Sequence, residues 1–563
     1  MQKRFSLDTT RKKPNLSLIL FLLSVVASVF TTYYVSTHII DSDTSSELIL
    51  AQHWIDTKNP LSADWLYGSE LRLFHVQLIY VPLMLLLDDW MLVRYIGSLI
   101  MQALYIASFG CLVHAARKSR TFFFYGASLL LLPVSVVYGR IVLYHNHYLP
   151  NITISFFLTA LSMHFAENVS WRSKKTWTIL FLLAGLSFAG GVNSIRQLLI
   201  THAPLLLISV MLCFLDDTQN KDLHKSSFLK SSNLNFLFCN LYATFFSLLG
   251  LKAHGVICDK LRLQLYIQSE NNTLNLMDAE YINDILYGFF HQFGFRRNIP
   301  IFSASGVLAL GGIFTGCYLV FIAANRLREK NHAVGRRTTL LSLFFLAHTA
   351  VLLMVFLVTS GEESPYYYPL YLSLCFPWAV PLILINLEEL PAGLHVFRVR
   401  KLFAVVSLLF LLLSGAVNLL YFLGSDAFPQ DYEGLRFQNR DKKYELVQVV
   451  TILTEQGYDK GYADHWEANI ITEMTNGNMP MIPIDFSRDF TGNQGNLEYQ
   501  DTLSSYWLRE APCEKPFLIL KEDDARGLQI SDSLAYCTEV YSGSHHVIYS
   551  IDDLDGFTDT LSY

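Results

Sequence analysis

The chain has 563 residues, of which 52% are hydrophobic, 14% aromatic and only 16% charged, which is too apolar for a soluble multidomain enzyme and calls for a lipid solvent. Its formal net charge is −6, and its Lys and Arg residues fall in short clusters between apolar runs, which argues against nucleic acid as a partner.

The N-terminus carries Lys3, Arg4, Arg11, Lys12 and Lys13 and then an apolar run longer than the core of a signal peptide, so it reads as an uncleaved first span over 16–40. Further runs of spanning length lie near 91–114, 121–143, 148–167, 176–192, 198–215, 235–252, 304–325, 339–359, 369–387 and 402–423, the fifth and sixth spans being short. They predict an all-α polytopic membrane bundle of about eleven transmembrane helices over 1–424.

One more apolar run, 76–87 with Pro82 inside it, has the length of a re-entrant or interfacial segment. Leaving it out places the Lys/Arg groups of 117–120, 172–175, 221–230, 326–337 and 398–401 on the side of the basic N-terminus, as the positive-inside rule requires. The expectation is a multi-pass plasma-membrane protein with a cytoplasmic N-terminus. Its outer face then receives loops 41–75, 144–147, 193–197, 253–300 and 360–369, together with the tail.

From about 425 the sequence changes to soluble α/β signals, with a helix over 442–456 and strand-like runs at 479–484, 517–520 and 546–551. A small extracytoplasmic α/β domain is expected over 425–563. Cys111, Cys213, Cys239, Cys317 and Cys375 lie in apolar runs and read as packing residues. Cys258, Cys513 and Cys537 fall outside the membrane; the last two either bridge a short loop or stay as separate thiols.

The first outer loop opens with Asp41-Ser42-Asp43-Thr44-Ser45-Ser46-Glu47. A carboxylate at the mouth of a helix bundle serves as general base toward an acceptor hydroxyl or holds a divalent cation. The alternative is a solvated helix N-terminus capped by Asp43 or Ser42. The loop continues through Tyr67-Gly68-Ser69-Glu70 to the short apolar run, and Arg94 follows at the start of the second span.

An acidic pair after the first helix, a Tyr-Gly-Ser-x-Glu segment, a juxtamembrane helix and an Arg near the next span resemble membrane glycosyltransferases of the GT-C superfamily. Its protein mannosyltransferase-like and aminoarabinose transferase-like branches use lipid-linked sugars. The resemblance covers the whole chain in architecture and rests on short motifs. It implies a second polar cluster at the outer end of the third span, here Arg140 with His145 and His147, which are metal ligands, sugar ligands or interfacial histidines.

Arg196, in Gly190-Gly191-Val192-Asn193-Ser194-Ile195-Arg196-Gln197, pairs with a lipid phosphate or snorkels to the interface. The segment with Tyr367, Tyr368 and Pro369 looks like the aromatic-Pro stretch these enzymes carry before a late helix, but its usual Arg is absent and Glu362 and Glu363 stand nearby. Arg296 and Arg297 are the substitutes. In the tail, 461–473 is similar to a segment that follows the bundle in bacterial enzymes of this type, and its polar residues are acceptor-binding candidates.

The resemblance thus implies an inverting glycosyltransferase that moves a sugar from a polyprenyl-phosphate donor to a glycan, lipid or protein acceptor on the outer face. Asp43 or Asp41 is the base, and Glu47, Tyr67, Glu70 and Arg94 join the residues above in binding substrate. No metal ligand set and no cofactor are assigned, a divalent cation being optional. The rival reading, a transporter or flippase of a lipid-linked or small polar substrate, predicts internal repeats, and the sequence shows no convincing one. A glycan polymerase or ligase of another polytopic class places its Arg and His residues in a large late loop instead.

Overall fold

The computed structural model describes residues 16–68, 70–144, 147–217, 231–265, 279–297, 299–328, 336–358, 367–388, 395–423, 440–488, 495–499, 513–527 and 532–561. The first helix, α1 (Leu16–His38), turns Ser17, Ser24, Ser28, Thr31, Thr32 and Ser36 inward and leaves Leu22, Leu23, Val26 and Phe30 exposed. Small polar residues let helices approach in a membrane, and apolar ones face lipid at no cost. Accordingly Ser28 donates to Gln102 at 3.0 Å, and Gln102 donates onward to Thr32 and to the Val142 carbonyl.

Helix α2 (Ser42–Thr57) and the eight-residue α3 (Gln77–Met84) follow on one face, before α4 (Trp90–Ala115) re-enters the bundle. Residues 76–87 thus contribute only a short helix, well below spanning length. The third apolar run is not one straight span: α5 (Arg120–Leu131) and α6 (Val136–Leu143) meet at 102°. Pro133 disfavours helix at Leu132, which is extended at ψ 136, and Ser135 restarts the chain by capping Tyr138 N–H at 3.1 Å.

Helices α7 (Leu149–Asn168) and α8 (Lys174–Asn193) lead to a π-helical turn, Leu198–His202, that runs into α9 (Ala203–Asp217). Helix α10 (Ser231–Leu261) packs on α8 with backbones nearly touching: a Cβ at Gly191 would lie 2.0 Å from the Ser247 carbonyl. The bundle continues through α11 (Ala279–His291), α12 (Ala304–Arg328), α13 (Arg336–Val358), the short α14 (Tyr367–Leu372), α15 (Phe376–Glu388) and α16 (His395–Phe422).

Among the described residues nine helices are long and apolar enough to cross a bilayer, and the bent pair makes ten. The shorter apolar stretch Leu198–Cys213 stands where the sequence placed its sixth span. The chain is a multi-pass membrane protein.

In the tail, α17 (Arg440–Glu455), β3 (Lys460–Ala463) and α18 (His465–Met474) precede β4 (Met481–Arg488), β5 (Gly495–Tyr499), β6 (Pro516–Lys521), β7 (Cys537–Ser542) and β8 (His546–Ile551); β1 (Leu66–Tyr67) and β2 (Gln264–Leu265) form a separate small pair. The six-stranded sheet runs β5-β4-β3-β6-β8-β7, with β3 parallel to β4 and β6 and the other pairings antiparallel. Leu446, Val449, Leu453 and Ile471 cover it. Cys513 and Cys537 are separate thiols, bonded to Asp459 and to the Ser533 carbonyl.

The tail docks on the bundle through α18 and the turn after it. Asn476 accepts from Trp90 N–H at 2.9 Å, and Gly477, at φ +76, lies so close to the Trp90 ring that a Cβ would sit 2.7 Å from it. Both the positive φ and the close approach require glycine there.

Candidate functional site

The start of α2, the loop before α3, the ends of α6 and α8 and the start of α18 converge on one face. Backbone and side-chain bonds tie them together: Leu71 N–H to the Asn193 carbonyl at 3.1 Å, His75 to the His147 carbonyl at 2.8 Å, and Ser42 to the His465 carbonyl.

Asp41 is the N-cap of α2, extended at φ −132 and ψ 134, and accepts from Asp43 N–H at 3.0 Å. The cap is therefore neither Asp43 nor Ser42, because the extended turn falls one residue earlier. Arg140, held by the α5–α6 bend, reaches Asp41 at 2.7 Å and Asp43 at 3.5 Å. Burial raises Asp41 above the ordinary carboxylate range against the pull of Arg140. The Asp43 side chain is 39% exposed, against 15% for Asp41 and 2% for Glu47. It is the one open carboxylate of the three.

Just over a turn further along α2, Glu47 is enclosed by Arg72, by His147 Nε2 at 2.9 Å, by Gln77 and, at 4.0 Å, by His75. Burial pushes its pKa up, but Arg72 and His147 outweigh it and hold the carboxyl below the usual range. Glu70 accepts from Ser194 at 3.1 Å and pairs with Arg196 at 2.8 Å; here too the cations, Arg196 first, overcome burial and lower the carboxyl. Arg196 lies over the rings of Tyr148 and Tyr371, at 4.7 and 5.6 Å. His75, 4.0 Å from both Glu47 and Glu70, bridges the two groups, and burial lowers its pKa although both acids oppose this.

Of the sequence candidates, Asp41, Asp43, Glu47, Glu70, Arg140, His147 and Arg196 therefore come together. Arg94 does not point into an opening: it is fully buried, 3.0 Å from Glu473 of α18, and donates to the Ser36 carbonyl and to Thr44. Tyr67 is buried in its loop with its hydroxyl on Ser62 N–H, and burial pushes its pKa up to about 12. Arg296 donates to Asn418, whereas Arg297 pairs with Asp284 and lies 4.1 Å from the Tyr287 ring centre. His145 lies outside the described residues, as do the side chains of Tyr367 and Tyr368, whose backbone opens α14.

The sequence reading missed Arg72, His75 and Gln77, although all three lie within or just after the loop it singled out. It also missed the α18 contacts. Ser45 donates to Glu473, Asn469 donates to Ser42 at 2.9 Å, and His465 Nε2 lies 3.8 Å from Asp43. Burial raises Glu473 above the ordinary range against Arg94. Among the described residues no three His, Cys, Asp or Glu side chains gather as a metal site.

The fold, a helical membrane bundle with a docked α/β tail, is GT-C-like, as the comparison with solved structures shows. The sequence matches no protein-family model and no curated protein. Among solved structures, the chain is similar to ArnT from Cupriavidus metallidurans bound to undecaprenyl phosphate. The two share 11% identity at TM-score 0.52, over 95% of this chain and 98% of that one. It is also similar to the Archaeoglobus fulgidus oligosaccharyltransferase tethered to an acceptor peptide, at 10% identity and TM-score 0.47 over 96% and 75% of the two chains. A second structure of that oligosaccharyltransferase, in complex with Zn and sulfate, gives 9% identity and TM-score 0.43 over 94% and 73%.

Proposed function

We propose that the chain is an inverting glycosyltransferase that moves a sugar from a polyprenyl-phosphate donor to a glycan, lipid or protein acceptor on the extracytoplasmic face. The observation that carries the reading is Asp43, an open carboxylate beside a part-buried Asp41–Arg140 pair at the mouth of the bundle. The ArnT structure of the same fold holds undecaprenyl phosphate, which supports a lipid-linked donor. The cytoplasmic N-terminus and outer tail belong to this proposal and rest on the Lys/Arg distribution.

In the proposed step Asp43 takes the proton of the acceptor hydroxyl as the acceptor oxygen bonds to the anomeric carbon. The bond from that carbon to the donor phosphate oxygen breaks, and its electron pair leaves with the polyprenyl phosphate. Arg196, in the turn between α8 and the π-helical turn, is the cation assigned to the phosphate, and the Glu70 pair and the two tyrosine rings hold its guanidinium in place. Arg296 and Arg297, engaged by Asn418 and Asp284, rank behind it. Glu47 with Arg72, His75 and His147 forms the rigid floor of the site. A divalent cation is left outside the step.

The test is label transfer from a panel of polyprenyl-phosphate sugars in membranes carrying the protein, with the anomeric configuration of the product read against that of the donor. Inverted product from one donor supports the reading, and retained configuration contradicts the direct displacement by an acceptor activated at Asp43.

A further inference from the structure

The tail does more than sit on the bundle, because the start of α18 is wired to the carboxylate that the proposed reaction uses. Ser42 Oγ spends its single proton on the His465 carbonyl, so toward Asn469, 2.9 Å away, it can only accept. That fixes the near end of the Asn469 amide as NH2. The same nitrogen lies 3.4 Å from His465 Nδ1, so its second hydrogen faces a ring nitrogen that must accept it. A neutral imidazole accepting at Nδ1 carries its proton on Nε2, and Nε2 is 3.8 Å from Asp43 Oδ1. The ring is restrained further by Trp466, set edge-on at 5.4 Å. The other Asp43 oxygen is the one that faces Arg140, at 3.5 Å.

We propose that His465 of the tail domain is a positioning residue for Asp43, its Nε2–H directed by Asn469 at the carboxylate so that the site is complete only when the tail is docked. The inference rests on the reading of Asp43 as general base. Closing the 3.8 Å gap by about 1 Å gives a charge-assisted hydrogen bond that turns the carboxylate and holds it ionised while the acceptor hydroxyl approaches. Because the proton is on Nε2, His465 donates to Asp43 and does not take the acceptor's proton. Contacts that tighten only with substrate bound are ordinary for catalytic groups. Glu473 and Arg94, one side of α18 further along, clamp the same helix against α2 and fix the register of His465 over Asp43.

Two variants of His465 separate positioning from packing. Gln places its amide nitrogen about where Nε2 stands, whereas Asn reaches only to the position of Nδ1; both keep the backbone carbonyl that Ser42 uses. In full-length protein that is folded and binds donor normally, His465→Gln is expected to keep kcat within a few fold. His465→Asn is expected to lose on the order of 10-fold or more in kcat with KM for the donor unchanged, the scale of one hydrogen bond to a charged group. Equal activity of the two variants, high or low, would overturn the positioning role.

A second measurement needs no turnover. In protein carrying 15N-labelled histidine, the signals missing from the His465→Gln spectrum identify the ring. They are expected to show Nδ1 bare and Nε2 protonated, and Asp43→Ala should shift Nε2. A wild-type chain inactive with every lipid-linked donor counts against glycosyl transfer. An Nε2 signal unmoved by Asp43→Ala counts against the positioning role, whatever the activity.

Discussion

Asp43→Asn isolates the charge of one carboxylate with little else disturbed. Helix α2 is capped by Asp41, so the new amide leaves the cap bond from residue 43 N–H in place. Its partner Arg140 keeps Asp41 at 2.7 Å and gives up only the 3.5 Å contact of a side chain that is 39% exposed. At that exposure the lost ion pair is worth less than about 1 kcal/mol, and the protein should fold and bind donor as before. The reaction, in contrast, loses its proton acceptor. A fall of roughly 10²–10⁴-fold is expected, about 3–5 kcal/mol on the barrier. Burial, Arg140 and then the Asp43 charge set the pKa of Asp41, so removing that charge lets Asp41 ionise more readily and supplies the residual rate. The assay is single-turnover label transfer in detergent or nanodiscs, with donor binding and thermal unfolding measured on the same preparation. Near wild-type turnover by well-folded Asp43→Asn would refute the reasoning and move the base to Asp41.

Other consequences concern the framework. Glu47→Gln leaves Arg72 and His147 beside a neutral amide in a buried site and should destabilise the protein by about 3 kcal/mol, read as a lower unfolding temperature. Glu47 and Glu70 lie below the ordinary glutamate value of 4.5, so their stabilising contribution is complete above that pH. It is lost as pH falls through their lowered values, and Glu47→Gln should flatten this acid-side decline in thermal stability. Glu473→Leu strands the buried Arg94 and should loosen the tail, seen as faster limited proteolysis between bundle and sheet domain; unchanged cleavage would mean that the pair does not hold the interface. Cysteines placed at 119 and in the tail should label from opposite sides of the membrane, and labelling of both from outside intact cells would overturn the orientation.

The spans were legible because a bilayer demands long apolar runs, and the structure has a helix at each stretch the sequence marked. The bend at Pro133 was not, since the apolar run continues through it and only the backbone break turns α6 toward Asp41. In the tail, helix 442–456 and the strand at 546–551 were visible from their periodicity. The central strand β3, Lys-Gly-Tyr-Ala, was not, having no β-branched residue to mark it although all four residues are buried. Within the site, the acidic turn, Glu70, Arg140 and Arg196 stood out as charges at membrane edges. Arg94 stood out for the same reason, yet its partner Glu473 lies almost four hundred residues away, and no local pattern records that pairing. His465 and Asn469 fell within 461–473, marked for acceptor binding, but their contacts with Asp43 and Ser42 were not legible for the same physical reason: they arise only from the docking of α18 on α2.

Purified protein in sealed liposomes, given a labelled polyprenyl-phosphate sugar and an acceptor extract, provides the most direct test. The account predicts that label becomes covalently attached to acceptor and that polyprenyl phosphate is released in equal amount, and that Asp43→Asn abolishes both. Label that crosses the bilayer on its original lipid, with no acceptor product and no dependence on Asp43, would contradict it and make the chain a carrier of lipid-linked sugar.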